Sequence, residues 1–262
     1  MPADGTIKVL LLGDIYGAPG CRALIFKLPQ LKKQFNPDFV IVNGENACAG
    51  FGLDRDMMSR FLQAGVDVIT GGNHIWQQED LLPCLDSEPR LLRPANYPPS
   101  NPGRGMTVID KIAVINLQGR YGMQPLDCPF RTALNLVREA RRQTPLIFVD
   151  FHAENTAEKE ALGFLLDGKV TAVVGTHTHV QTADAKILPG GTAYITDMGM
   201  CGPSESVIGS DPASAVLKQR TQMPYKPVVA ETAPVINGVL VCAQRETGRA
   251  LEITPVSIPC EE

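Results

Sequence analysis

The chain has 262 residues, a formal net charge of −4 and an apolar share of 44%. That length buries a core without disulfide or structural-metal staples, and that apolar share excludes a disordered or fibrous chain. Lysine and arginine are scattered without a basic stripe, which argues against long nucleic acid as a partner and leaves a small nucleotide open.

Seven cysteines are present, at 21, 48, 84, 128, 201, 242 and 260, with no C-x-x-C spacing. Free thiols in a reducing compartment are the expectation, rather than a disulfide framework or a zinc–thiolate site. Met1-Pro2-Ala3-Asp4-Gly5 runs into a strand pattern without the basic flank and apolar core of a signal peptide, and no apolar run approaches the roughly 20 residues of a membrane span. A cytoplasmic protein without a membrane partner is expected.

In chain order, Ile7 to Leu12 reads as a buried strand ending at Gly13-Asp14, followed by the turn-rich Gly17-Ala18-Pro19-Gly20. Cys21 to Phe35 has helical spacing, with a break or kink predicted at Pro29. Phe39 to Val42 is a second strand, stopping at Asn43-Gly44-Glu45-Asn46. Arg55 to Gln63 is a helix, and Val66 to Thr70 is a third strand ending at Gly71-Gly72-Asn73-His74. Residues Leu91 to Gly105 are too proline-rich for a helix or central strand and read as an ordered loop, either a rim over the site or a plain connector. Met106 to Ile109 and Ile112 to Leu117 are adjacent strands. Phe130 to Arg142 is amphipathic, with Arg138, Arg141 and Arg142 on a solvated face.

Leu146 to Val149 is a strand running into Asp150-Phe151-His152. Glu154 to Leu166 is helical, and Val170 to Val174 is the strand before Gly175-Thr176-His177-Thr178-His179. Thr192 to Thr196 is a strand followed by the loop Asp197 to Pro203. Asp211-Pro212 opens a short helix to Gln222. Asn237-Gly238, inside Val235 to Val241, signals a hairpin turn, and Leu251 to Ile258 is a candidate strand of a second sheet. The strand–helix alternation predicts a parallel-rich α/β sheet in one domain over residues 1–262.

All four histidines of the chain follow apolar strand patterns, as do Asp14, Glu45, Asn46 and Asn73. In α/β sheets the carboxyl ends of strands are where ligands bind. This set of oxygen and nitrogen donors, with no thiolate, suits manganese, iron or zinc better than magnesium or calcium. Two such ions a few ångströms apart can hold a hydroxide and stabilise both attacking and leaving oxygens at phosphorus. Each residue also has an ordinary reading: Asp14 as a turn cap, Asn46 and Asn73 as turn residues, His152 as a core histidine. Their joint occurrence favours the metal site. The spacing of Gly13, Gly17 and Gly20 is wrong for a dinucleotide fingerprint, and these glycines are expected to let backbone approach the metal site. Arg22 reads as a solvated arginine rather than a phosphate contact. Walker and serine-hydrolase motifs are absent.

Asp14, Gly44-Glu45-Asn46, Gly72-Asn73-His74, His152 and Gly175-Thr176-His177-Thr178-His179, in that order, resemble the motif set of the calcineurin-like metallophosphoesterases. The flanking words Asn43-Gly44-Glu45-Asn46-Ala47, Gly72-Asn73-His74-Ile75-Trp76, Arg93-Pro94-Ala95-Asn96-Tyr97-Pro98, Asp150-Phe151-His152-Ala153-Glu154 and Thr196-Asp197-Met198-Gly199-Met200 are similar to the bacterial YmdB-like branch. Nearly the whole chain is covered. Tyr16 stands where the wider superfamily has a histidine, and Glu45 where it usually bridges with aspartate; both fit the narrower branch. Gln77 replaces an acidic residue frequent after the tryptophan, which touches the surroundings of His74.

The resemblance implies a four-layer αββα sandwich, two sheets flanked by helices. It implies one metal on Asp14, Asn46 and His179, a second on Asn73, His152 and His177, Glu45 bridging them, and His74 as the non-ligand acid. The ions would be divalent or mixed-valence, iron or manganese foremost and zinc as a further option. The implied activity is hydrolysis of cyclic nucleotides, 2′,3′-cyclic ones favoured, by a metal-bridging hydroxide. The alternatives are a phosphomonoesterase and a metal-bound regulatory protein linked to RNA turnover. The implied partners are a small nucleotide or phosphodiester substrate and further copies of the chain.

Overall fold

The computed structural model describes residues 5–226 and 228–260, so the reading of Met1 to Asp4 lies outside the described residues. Two six-stranded sheets face each other. The first runs β12-β11-β10-β1-β2-β3, from β1 (Thr6–Tyr16), β2 (Phe39–Asn46), β3 (Val68–Thr70), β10 (Met200–Pro203), β11 (Pro234–Gln244) and β12 (Ala250–Pro259). The second runs β4-β5-β6-β7-β9-β8, from β4 (Met106–Ile109), β5 (Ile112–Gln118), β6 (Leu146–His152), β7 (Ala172–Thr176), β8 (Lys186–Ile187) and β9 (Ala193–Ile195).

The period-two pattern of the strands builds the layers. In β1, Ile7, Val9 and Leu11 point into the core between the sheets, where they meet Val114, Phe148 and Val174. Leu10 and Leu12 point the other way, toward α1 (Gly17–Phe35) and α2 (Arg55–Ala64). In the second sheet Ile147, Val149 and Val173 face outward against α4 (Pro129–Ala140) and α5 (Thr156–Leu166). The result is the four-layer αββα sandwich.

Several local expectations are corrected. β1 extends past Asp14 to Tyr16, and the glycine-rich turn is the first turn of α1. A side chain on Gly20 would strike the carbonyl oxygen of Cys201, and one on Gly13 that of Gly199. These glycines admit the backbone around β10 and not the metal site. Pro29 sits inside a continuous α1: it lies on the exposed face, and buried Leu24, Leu28 and Leu31 hold the helix.

Residues 200–203, read as loop, form a strand parallel to β1, with Asp14 opposite Met200. Asn237-Gly238 makes no turn. Both lie mid-strand in β11, with Asn237 opposite Ser257, and the hairpin turns at residues 245–249. Asn237 is used to donate to the Met200 carbonyl at 2.9 Å, and Gly238 lets β1 pass. β12 joins the first sheet, not the second. The short helix α3 (Leu82–Ser87) carried no sequence signal, and α6 (Pro212–Thr221) agrees with the expected short helix. All seven cysteines are free, and among the described residues no helix is long and apolar enough to cross a membrane.

Candidate metal centre

β1, β2, β3, β6 and β7 end at one edge of the sandwich, and their ends carry the candidate residues. Asp14 and Asn46 come from the first sheet and His152 from the second. His177 and His179 follow β7, and Asn73 and His74 follow β3. Asp14, Glu45, Asn46 and His152 are buried.

The structure brings them into two contacting groups. In one, the Asn46 amide nitrogen lies 3.2 Å from Asp14 Oδ1 and 3.3 Å from His179 Nε2. In the other, His152 Nε2 lies 3.1 Å from Asn73 Oδ1 and 3.0 Å from His177 Nδ1. Glu45 stands between the groups. Its Oε1 is 2.8 Å from His152 Nε2, and its Oε2 accepts from the His74 backbone N–H at 2.9 Å. Gly72 makes this approach possible, because a Cβ there would collide with both Glu45 Oε2 and the His152 ring.

The remote nitrogen of each inner histidine fixes its tautomer. Thr176 gives its one hydroxyl proton to Asp150 Oδ1 at 2.7 Å, so it accepts from His152 Nδ1–H at 3.0 Å. His179 Nδ1–H donates to the Ile208 carbonyl at 2.8 Å. His177 Nε2 faces the Glu154 carboxylate at 3.1 Å. Each ring therefore turns an unprotonated nitrogen inward. Glu45 Oε1 is buried without a hydrogen-bond donor although an imidazole nitrogen is 2.8 Å away.

Charge points the same way. Burial pushes Asp14 up to about 7, with Asp197 and Glu45 adding to the effect and His152 opposing it. Burial likewise raises Glu45, and it lowers His152 to about 4 and His177 and His179 below the ordinary imidazole value. Neutral imidazoles and carboxylates short of positive charge are what bound cations require. One ligand atom each of Glu45, His152 and His177 lies within 4.8 Å of the others. The residues present fit metal ions.

His74 is different. Its ring packs, tilted by 44°, against Phe51 at 4.8 Å and borders the open cavity, and its Nδ1 lies 2.8 Å from Asn46 Oδ1. Tyr16 packs edge-on against His179 at 5.3 Å, its hydroxyl 3.3 Å from Ser210 Oγ. Gln77 is exposed, and its bond to His74 is main-chain. Arg22 pairs with Glu231 at 3.6 Å, both largely exposed, and does not line the cavity.

A cavity of about 330 Å3 opens over this cluster. Its far wall is α6 with residues 207–210 and 225–226. The proline-rich loop does not line it: Arg93 is buried, donating to the Pro94 carbonyl, and Tyr97 bonds to Gln118 and packs on Trp76. That loop is a connector braced on β5. Sequence reasoning missed the α6 wall and the supports Thr176, Asp150 and Glu154. It also missed the buried Lys159–Asp197 ion pair at 2.7 Å, whose carboxylate accepts from the Thr178 N–H between the two histidines. Lys159 had a signal: it falls three, four and seven residues before buried Leu162, Gly163 and Leu166, on the apolar stripe.

Two facing sheets flanked by helices, with mixed nitrogen and oxygen donors gathered at the strand ends, define a protein of the metallophosphoesterase type. Within that type the chain belongs to the YmdB-like protein family, whose model matches residues 10–256. It is 45% identical over 256 residues to a 2′,3′-cyclic-nucleotide 2′-phosphodiesterase of Bacillus subtilis, covering 96% of this chain and 97% of that one. Among solved structures, a hypothetical protein from Thermus thermophilus superposes with a TM-score of 0.90 at 38% identity, covering 97% of this chain and 100% of that one. A novel phosphatase from Mycoplasma pneumoniae superposes with 0.91 at 37% identity, covering 97% and 94%.

Proposed function

We propose that this chain is a metal-dependent phosphoric diester hydrolase acting on cyclic nucleotides, 2′,3′-cyclic ones foremost. The observation that carries the reading is the set of inward, unprotonated nitrogens on His152, His177 and His179 around the donorless Glu45 Oε1. The name of the Bacillus relative supports the substrate class. Asp14, Asn46 and His179 would hold one ion, Asn73, His152 and His177 the other, with Glu45 shared. Iron or manganese suits these donors. When bound, such ions supply positive charge to the phosphate oxygens and lower the pKa of water.

The chain's own residues do the rest. Buried Asp14 and Glu45 hold protons more readily than ordinary carboxylates, and those protons would leave as cations arrive. Asn46 now turns its amide nitrogen to Asp14 and His179 and its oxygen to His74. A cation prefers the oxygen, and a half-turn of the amide supplies it. That half-turn also sets an N–H donor against His74 Nδ1. The His74 proton then sits on Nε2, away from Asn46 and Glu45, where it can be given to the departing ribose oxygen.

The test is turnover of adenosine 2′,3′-cyclic phosphate and of a bis-aryl phosphate, with metal content read on the same sample. His74→Ala is expected to keep its metal and lose about 10²–10⁴ of diester turnover. Metal-loaded protein that hydrolyses neither diester would overturn the reading. A phosphomonoesterase is the second reading, favoured by the Mycoplasma neighbour being described as a phosphatase. Side-by-side rates on mono- and diesters of one alcohol decide between them.

A further inference from the structure

The charged side chains around the cavity divide into two sets. The anionic ones, Glu45 and Glu154, are each set against a histidine. The cationic ones, Lys218 and Lys226, meet no acid and no hydrogen-bond acceptor among the described residues. Lys218 lies in the last turn of α6, where a cation also suits the helix dipole; that reason does not extend to Lys226, which lies beyond the helix. Both border the cavity that reaches down to Glu45 and His74. The chain carries net negative charge, so this cationic wall is local and not part of a general basic field.

We infer that Lys218 and Lys226 hold a second phosphate of the substrate, carried on the 5′ oxygen of a nucleoside whose 2′,3′-cyclic phosphate rests on the histidine floor. The inference builds on the diesterase reading. The 5′ carbon leaves the ribose from a different edge than the 2′ and 3′ oxygens, so a nucleotide with its cyclic ester on the floor sends that carbon toward the mouth. An uncharged hydroxyl there gains little from two ammonium groups, whereas a phosphate gains charge-assisted hydrogen bonds from both. That phosphate has two sources: a free 5′-phosphorylated nucleotide, or the last linkage of a short oligonucleotide ending in a cyclic phosphate.

Product binding tests the site apart from turnover. Calorimetry on the manganese-loaded full chain compares adenosine 3′,5′-bisphosphate with adenosine 3′-monophosphate. The bisphosphate is expected to bind about tenfold more tightly, and Lys218→Gln/Lys226→Gln to bring that ratio to about twofold or less. The kcat/KM ratio for 5′-phosphorylated over unphosphorylated adenosine 2′,3′-cyclic phosphate is expected to follow it. A dinucleotide with the same cyclic end, run beside them, tells which source is preferred. Equal binding of the two products by the wild type overturns the assignment. So does a double variant that keeps the preference, including one that weakens both ligands alike. If neither cyclic ester is turned over but the lysine-dependent preference for the bisphosphate is present, the diesterase reading falls and the phosphate site stands.

Discussion

His152 uses both ring nitrogens, and they face different chemistry. Nδ1–H leans on Thr176, which leans on Asp150, and Asp150 also accepts from Asn43 at 3.1 Å and from Thr70. The relay joins the two sheets and keeps the inward nitrogen free of a proton. Thr176→Val keeps the shape and removes the relay. Metal affinity should fall about 10- to 100-fold in a chelator competition, and stability by about 1–3 kcal/mol in urea, because a buried N–H and a carboxylate oxygen both lose partners. Thr176→Ser should restore affinity; wild-type affinity in the valine variant would refute the relay. At this scale the sequence was readable for residues that advertise their chemistry. Four histidines at strand ends, with acids and amides beside them, could be grouped from order alone. Thr176 could not, since threonine in a strand is ordinary and its role exists only through Asp150 on the next strand.

The loop after β7 shows how an element carries a site. His177 and His179 both lie in the left-handed region, with φ of 99° and 66°, a conformation costly to residues other than glycine. Contacts on either side impose it. Asp14 accepts the His177 N–H at 3.1 Å, and Asp197 accepts the N–H groups of Thr178 and Gly199 at 3.1 and 2.8 Å. Lys159, 1% exposed, neutralises Asp197 from α5. Lys159→Met should therefore cost about 3–5 kcal/mol by urea unfolding, since it strands a buried carboxylate. Lys159→Met/Asp197→Asn should recover much of that. A double variant as unstable as the single one would show that the lysine acts through packing alone. Strand and helix periods revealed most elements, but not the pairing across them. Asn237-Gly238 looked like a turn because the dipeptide carries that signal, and only the neighbouring β10 and β1 explain why it lies mid-strand.

For the whole molecule, the buried charges set how stability answers to pH. Asp14 and Asp150 are raised by burial from 3.8 to about 7, so over that range the folded chain holds more protons there than the unfolded chain, and stability falls as pH rises. His152, His177 and His179, all lowered by burial from 6.5, act in the opposite sense below that value. Above it the carboxylate effect is what remains. Metal-free protein should therefore lose Tm from about pH 7 to about pH 8, while the gain on adding Mn²⁺ should grow over the same range. A gain that shrinks with pH in paired melting curves would contradict this charge balance. The donors have one further property: Glu45 belongs to the first sheet, and its nearest imidazole, His152, to the second. Apolar side chains such as Leu11 and Phe148 touch across the seam without a fixed bond, and the Asp150 hydrogen bonds to Asn43 and Thr70 cross it beside the site. A cation shared by Glu45 and His152 would rivet that seam at one edge. Sliding of one sheet past the other would then be read as metal affinity, and loading would slow amide exchange along β2 and β6 more than along β11 and β12, which lie away from the rivet.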